Sequence, residues 1–166
     1  MHYAYRFRLK PTAEQRELLD YHRDTCRQLY NHALGEFNEI PESAGTLNQR
    51  VRQVRDKLTD LKEWWDDLND LYSTVAQATV MQIEDSIKAL SELKEKGYNV
   101  GSLNWKAPKD FRSFTYVQSG FEFDKKNGQT VLSLSKLADI PIVKHREIPD
   151  DVRIKQVTIK KEPTGE

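Results

Sequence analysis

Tyr5-Arg6-Phe7-Arg8-Leu9-Lys10-Pro11-Thr12-Ala13-Glu14-Gln15 is the stretch on which the fold turns. Tyr5, Phe7 and Leu9 alternate with Arg6, Arg8 and Lys10, so a strand here carries three apolar groups on one face and three cations on the other. Pro11 ends that strand. Thr12 with Gln15 makes a capping box and starts a helix at once. A cationic face beside a long helix suits a surface that grips a polyanion, and it equally suits an ordinary exposed strand.

Working outward, the first helix is expected from about Thr12 to Phe37, with Leu19, Cys26, Leu29, Tyr30, Ala33, Leu34 and Phe37 at helical spacing. Glu39 to Gly45 reads as a loop, because Pro41 and Gly45 break helix. Thr46 can cap a second helix whose Leu47, Val51, Val54, Leu58 and Leu61 repeat every three or four residues. A third is expected from near Ser73 to Lys96, with Ala76, Val80, Ile83, Ile87 and Leu90 inward and Gly97 stopping it. From Arg112 the pattern becomes strand-like. Ser113 to Val117, Phe121 to Phe123 and Thr130 to Leu134 are β-prone, with Asn127-Gly128 a strong hairpin signal. Ile140-Pro141-Ile142-Val143 is marked by proline as an edge strand, and a last strand falls between Val152 and Lys161. The order strand, helices, strands predicts an α+β fold: a small β-barrel split by a three-helix insertion, with the first strand rejoining the later ones.

The chain has 166 residues, enough for one sizeable core. Its 26 basic and 26 acidic residues balance, so affinity for a polyanion must come from local patches. Residues 1–96 carry a net charge of −3 and residues 97–166 a net of +3. No apolar run approaches the roughly 18 residues of a membrane span, and Met1-His2-Tyr3 opens no signal peptide. The single cysteine, Cys26, excludes an internal disulfide and fits a reducing cytoplasm. A monomer without membrane contact is expected.

Catalytic signatures are absent from the pattern. His22 and Cys26 lie four apart and could share a metal, but Cys26 fits the apolar stripe and no second ligand pair is evident. No nucleophile motif or glycine-rich phosphate loop occurs, and Asp66, Asp67 and Asp70 read as a solvated acidic turn. No metal or cofactor is expected. Binding signals are stronger. Arg6, Arg8 and Lys10 have the spacing of phosphate contacts. Arg50, Arg52, Arg55 and Lys57 cover more than one helix face, which reads first as solvated helix. The run from Trp105 to Tyr116 interleaves aromatics with Lys106 and Arg112, as segments do that stack on bases, and it equally suits a linker whose aromatics cap the sheet. Tyr30, Trp64 and Trp65 read as core or interface residues.

Arg8-Leu9-Lys10-Pro11-Thr12-x-x-Gln15, followed by Cys26-Arg27-x-x-Tyr30-Asn31-x-Ala33-Leu34, resembles the opening of the TnpB (OrfB) family. These are transposon-encoded, RNA-guided DNA nucleases of small insertion sequences. The later segments resemble the family in order. They are a helix from Ser73-Thr74-Val75-Ala76-Gln77, then Lys94 to Gly97, then Arg112-Ser113-Phe114-Thr115-Tyr116. Gly120 to Phe123, Leu132 to Lys136, Ile140 to Ile142 and Ile154 to Lys161 follow.

The resemblance implies a wedge barrel (OB-like) from residues 1–11 and 108–166, and an inserted helical recognition lobe from residues 12–107. It implies two partners, a transposon-end guide RNA and a double-stranded target DNA carrying a short transposon-adjacent motif. The protein reads shape and the short motif, and base pairing reads the rest. By matching position, Ser73, Thr74 and Gln77 from the third helix, with Tyr116, Val117 and Gln118 from the barrel, would meet the DNA motif. A glutamine pairs bidentately with adenine in a major groove, which suits Gln77. The family often places a cation near Ser73, and this chain has none there. Arg6, Arg8, Lys10, Tyr30, Asn31, Arg50 and Arg112 are the implied guide-RNA contacts. The family continues into a RuvC-like nuclease with three metal-binding carboxylates and a zinc ribbon, whereas this sequence stops at Pro163-Thr164-Gly165-Glu166. By itself the chain is therefore expected not to cut DNA. A nuclease-less RNA-guided repressor and a decayed transposon remnant stay open beside the recognition half of a nuclease.

Overall fold

The computed structural model describes residues 4–144 and 153–162. Met1-His2-Tyr3, the start of the expected last strand at Val152 and the final four residues lie outside them. The opening stretch alternates as its pattern requires: Tyr5 and Phe7 are half-buried, Leu9 is buried, and Arg6, Arg8 and Lys10 are exposed. Only Arg8–Leu9 forms a ladder, strand β1. Thr12 then caps α1 (Ala13–Glu39) with both bonds of the capping box. The apolar stripe from Leu19 to Phe37 is buried at all seven expected positions.

The second expected helix breaks. A capping box at Thr46 opens α2 (Leu47–Asp56), and after Lys57 a separate α3 (Leu58–Trp64) begins. Val51, Val54, Leu58 and Leu61 are all buried. The hydrophobic repeat runs through the break unaltered, which is why periodicity does not reveal it. A 3-10 turn over Asp66–Asp70 leads to α4 (Ser73–Glu95). At its end Gly97 has φ 91°, its N–H reaches Lys94 O, and the Tyr98 N–H reaches Leu93 O. This 6→1 and 5→2 pair caps the last carbonyls, with glycine taking the left-handed position.

Five strands follow: β2 (Ser113–Val117), β3 (Phe121–Lys126), β4 (Gln129–Leu134), β5 (Ala138–Val143) and β6 (Gln156–Lys160). Asn127 and Gly128, both at positive φ, form the hairpin turn between β3 and β4. The antiparallel order is β1-β5-β4-β3 in one sheet and β2-β6 in the other. The first strand does rejoin a late one, with Arg8 opposite Val143 and Leu9 opposite Ile142.

Two expectations are corrected. No ladder joins the two sheets among the described residues, so the barrel is not closed; between β2 and β3 the chain turns through Gln118 (φ 65°) and Gly120 (φ 88°), and pairing stops there. Nor is β5 an edge, since it lies between β1 and β4. Pro141 is tolerated because its carbonyl, which accepts from the Lys10 N–H at 2.7 Å, faces β1. Its missing N–H lies on that same side, where β1 is already running out into Pro11.

Helices and strands share one continuous core. Helix α4 packs on α1, α2 and β2, and Val75, Ala76, Val80, Ile83, Phe114, Tyr116 and Ile159 are all buried. One side of α4 is thereby left looking out along β2.

Candidate nucleic-acid interface

Helix and strand periodicity together build a groove on that side. From α4 come Thr74, Gln77, Ala78, Met81, Gln82 and Asp85, spaced so that they share one helical face. From β2 come Ser113, Thr115 and Val117, the alternate residues whose neighbours Phe114 and Tyr116 turn into the core. Gln118, Gln156 and Arg55 complete a groove of about 470 Å³. Gln156 arrives because β6 pairs with β2 in the register Val117 opposite Gln156.

The lining mixes amides with the apolar groups of Ala78, Met81, Phe114 and Val117. One arginine and one aspartate face four glutamines, Gln77, Gln82, Gln118 and Gln156, and none of the four amides has a side-chain hydrogen bond within the described residues. Thr115 shares its hydroxyl with Thr158 across the ladder, 3.0 Å apart. Thr74 Oγ1 is enclosed and has no partner among the described residues. Each free amide offers one acceptor and two donors. Such a surface matches base edges better than phosphates, which recruit guanidinium and ammonium groups.

Of the residues implied for a DNA motif, the structure gathers Thr74, Gln77, Val117 and Gln118 in this groove. Ser73 is exposed at the first turn of α4, outside the lining. Tyr116 is completely buried, stacks on Tyr72 at 6.0 Å and donates its hydroxyl to Ser135 O at 2.9 Å. Its side chain belongs to the core, on the opposite face of β2 from Val117. The groove also holds Arg55, Ser113 and Thr115, which the sequence placed in cationic or aromatic segments without linking them to α4, and Gln82 and Gln156, which it did not single out. The signal for Gln82 was present, since it continues the face of α4 marked by Thr74 and Gln77 through Ala78.

The residues implied for guide RNA are spread more widely. Arg8 on β1 and Lys10 just after it are exposed, and Arg6 before them pairs with Glu162. Arg112 is exposed, with its Nε reaching Lys109 O at 3.3 Å. It helps line a second groove, of about 420 Å³, between α1, residues 108–112 and the end of β6. There Arg23 and Lys161 pair with Asp20 and Arg27 pairs with Asp24. Arg50 is half-buried, its guanidinium 5.0 Å from the centre of the Phe37 ring.

Tyr30 and Asn31 do a different job. Tyr30 is wholly buried against Phe111. The Asn31 amide donates to Lys106 O at 3.0 Å and accepts from the Lys106 N–H at 2.8 Å, while Arg27 reaches the same carbonyl at 3.3 Å. The Cys-Arg-x-x-Tyr-Asn run thus fastens the linker before β2 onto α1. Its first member, Cys26, is buried, and burial pushes the thiol up to about 12, so it stays protonated. His22, four residues before it, is buried too, and no group of three or more metal-binding side chains gathers among the described residues.

Within the described residues no helix is long and apolar enough to cross a membrane. No curated protein matches the chain. A family model, the helix-turn-helix domain of OrfB proteins of the IS605 type, matches residues 1–44, the stretch holding β1, α1 and the turn after it. That match marks a DNA-binding, transposase-associated N-terminal region. It is this N-terminal portion, residues 1–44, that is similar to the TnpB/OrfB family.

Proposed function

We propose that this chain is the nucleic-acid-recognition portion of a TnpB/OrfB-type RNA-guided system, reading a short DNA motif in the groove between α4 and β2 while guide RNA lies along its exposed cations. The wedge of strands and the helical lobe of residues 12–107 would act together as a reader, and cleavage has no part in the reading. The observation that carries it is the set of four glutamine amides with free hydrogen-bonding capacity converging from α4, β2 and β6. An amide-lined, nearly uncharged groove contributes discrimination between bases rather than bulk attraction to a polyanion. Bulk attraction falls to Arg8 on β1 and Lys10 just after it, both exposed, and to Arg112.

The test is an electrophoretic shift with transposon-end RNA and a duplex carrying a randomised flanking motif, at two salt concentrations. The wild-type chain is expected to bind the RNA in a salt-sensitive way and to enrich a short duplex motif. Gln77→Ala is expected to relax one position of that motif by about 1–3 kcal/mol with the salt slope unchanged. Arg8→Ala should weaken RNA binding evenly and lower the salt slope by about 1. Absence of RNA binding at low salt sinks the proposal, and metal-dependent cutting by the pure chain refutes a binding-only role.

A further inference from the structure

All three tryptophans of the chain gather around one turn of α1. The His32 ring stands edge-on to Trp64 and Trp65, at 6.2 and 5.7 Å. Those two indoles stack on each other 6.0 Å apart with planes 21° from parallel. Trp105 lies over Gly35, where a Cβ would sit 3.8 Å from its ring. His32 is itself held by Glu36, Nε2 to Oε1 at 3.0 Å, and the other Glu36 oxygen is enclosed without a hydrogen-bond partner among the described residues. This scaffolding fixes the indoles, yet Trp64 and Trp105 each remain 66% exposed. Isolated exposed apolar residues are ordinary, but a fixed, stacked aromatic cluster presented to water marks a contact surface.

Charge decides what it contacts. Residues 58–71 carry five carboxylates, Asp60, Glu63, Asp66, Asp67 and Asp70, against one cation, Lys62, in a chain whose net charge is zero. All five are exposed. Asp70 takes the Tyr21 hydroxyl at 2.7 Å, but Glu63, Asp66 and Asp67, which flank the two tryptophans, have no ion pair among the described residues. A polyanion is repelled here, so the indoles are poor platforms for nucleic acid. An indole face beside uncompensated carboxylates attracts a guanidinium or ammonium group twice over, through the ring quadrupole and through the charge. We infer that the acidic aromatic patch at Trp64 and Trp65 is a docking site for a Lys/Arg-rich segment of a partner protein, separate from the nucleic-acid surfaces of the chain.

The test uses the full chain labelled with 5-fluorotryptophan and a hexa-arginine peptide as probe, followed by fluorine NMR at two salt concentrations. The Trp64 resonance is identified by its loss in Trp64→Phe. The peptide is expected to shift that resonance saturably in the wild type. Affinity, followed in these variants by the resonance of the stacked Trp65, should fall about two- to fivefold in Trp64→Ala and be largely kept in Trp64→Phe, which preserves an aromatic face. It should also fall in the triple change Glu63→Gln, Asp66→Asn, Asp67→Asn. Trp64 is mostly in water, so these variants leave the core intact; coincident circular dichroism verifies that. Three results overturn the inference: no shift at low salt, binding that is indifferent to Trp64→Ala, or a shift of the Trp64 resonance by oligothymidylate.

Discussion

Asn31 grips one peptide group from both sides, donating to the carbonyl of Lys106 and accepting from its N–H. An aspartate could reproduce only the acceptor half. Family resemblance suggested a contact with guide RNA; its buried position gives it a bond to this linker instead. Nothing in the spacing of Tyr30-Asn31 indicates that a segment 75 residues later will land on it. His22, one helical turn before Cys26, has a consequence for pH. Burial lowers its pKa from the ordinary 6.5, with Asp70 opposing weakly, and Phe114 and Tyr21 wall it in. The unfolded chain therefore takes up a proton that the folded chain refuses. Stability is complete above pH 6.5 and declines as pH falls through that value. Burial would raise Asp20, but Arg23 and Lys161 outweigh it and hold it low, while Arg27 holds Asp24 low, so these carboxylates act only at more acid pH. The urea midpoint is expected to drop between about pH 7 and pH 5 in the wild type and to stay flat there in His22→Leu.

At the scale of elements, the junction of α4 with the strands depends on one glycine. Gly120 has φ 88°, and a Cβ built on it would sit 2.6 Å from the Tyr72 ring. Tyr72 cannot easily move: it stacks on Tyr116 and shares a 3.0 Å hydrogen bond with Ser119. Gly120→Ala meets both a left-handed backbone and a ring with no room to retreat. A loss of about 2–4 kcal/mol in chemical denaturation is expected, with Gly101→Ala, in open space, as the neutral comparison. Most elements were legible in the pattern, because α1, α4 and the Asn127-Gly128 hairpin combine strong caps or turn residues with clean periodicity. The two failures are informative. Val51 to Leu61 keeps helical spacing across the break at Lys57, so the repeat is blind to it. Pro141 signals an edge only if its N–H would face a partner, and sequence does not say which side that is. The candidate groove was half legible: strand alternation alone already separates Tyr116 from Val117, while Arg55 and Gln156 enter through tertiary packing and strand register.

For the whole molecule, the continuous core is the governing fact. The helices and both sheets bury their apolar groups in a single cluster, so neither half has an interior of its own to retain. Unfolding is expected to be one cooperative transition, with tryptophan fluorescence (reporting the α1, α3 and linker region) coinciding with the loss of the NMR amide signals of β2 to β6. Separate midpoints would show that the helical and strand portions melt independently. The pairing of β1 with β5 bears on synthesis. Arg8 cannot find Val143, nor Leu9 Ile142, until the chain has left the ribosome as far as residue 143. Until then the opening segment, with Tyr5, Phe7 and Leu9 alternating along it, has no partner to pair with, the kind of segment that pairs with the wrong neighbour. Arg6, Arg8 and Lys10 are exposed along it, and like charges there would set two nascent copies against each other. Before folding brings β5 to β1, these exposed cations would thus act as guards against self-association.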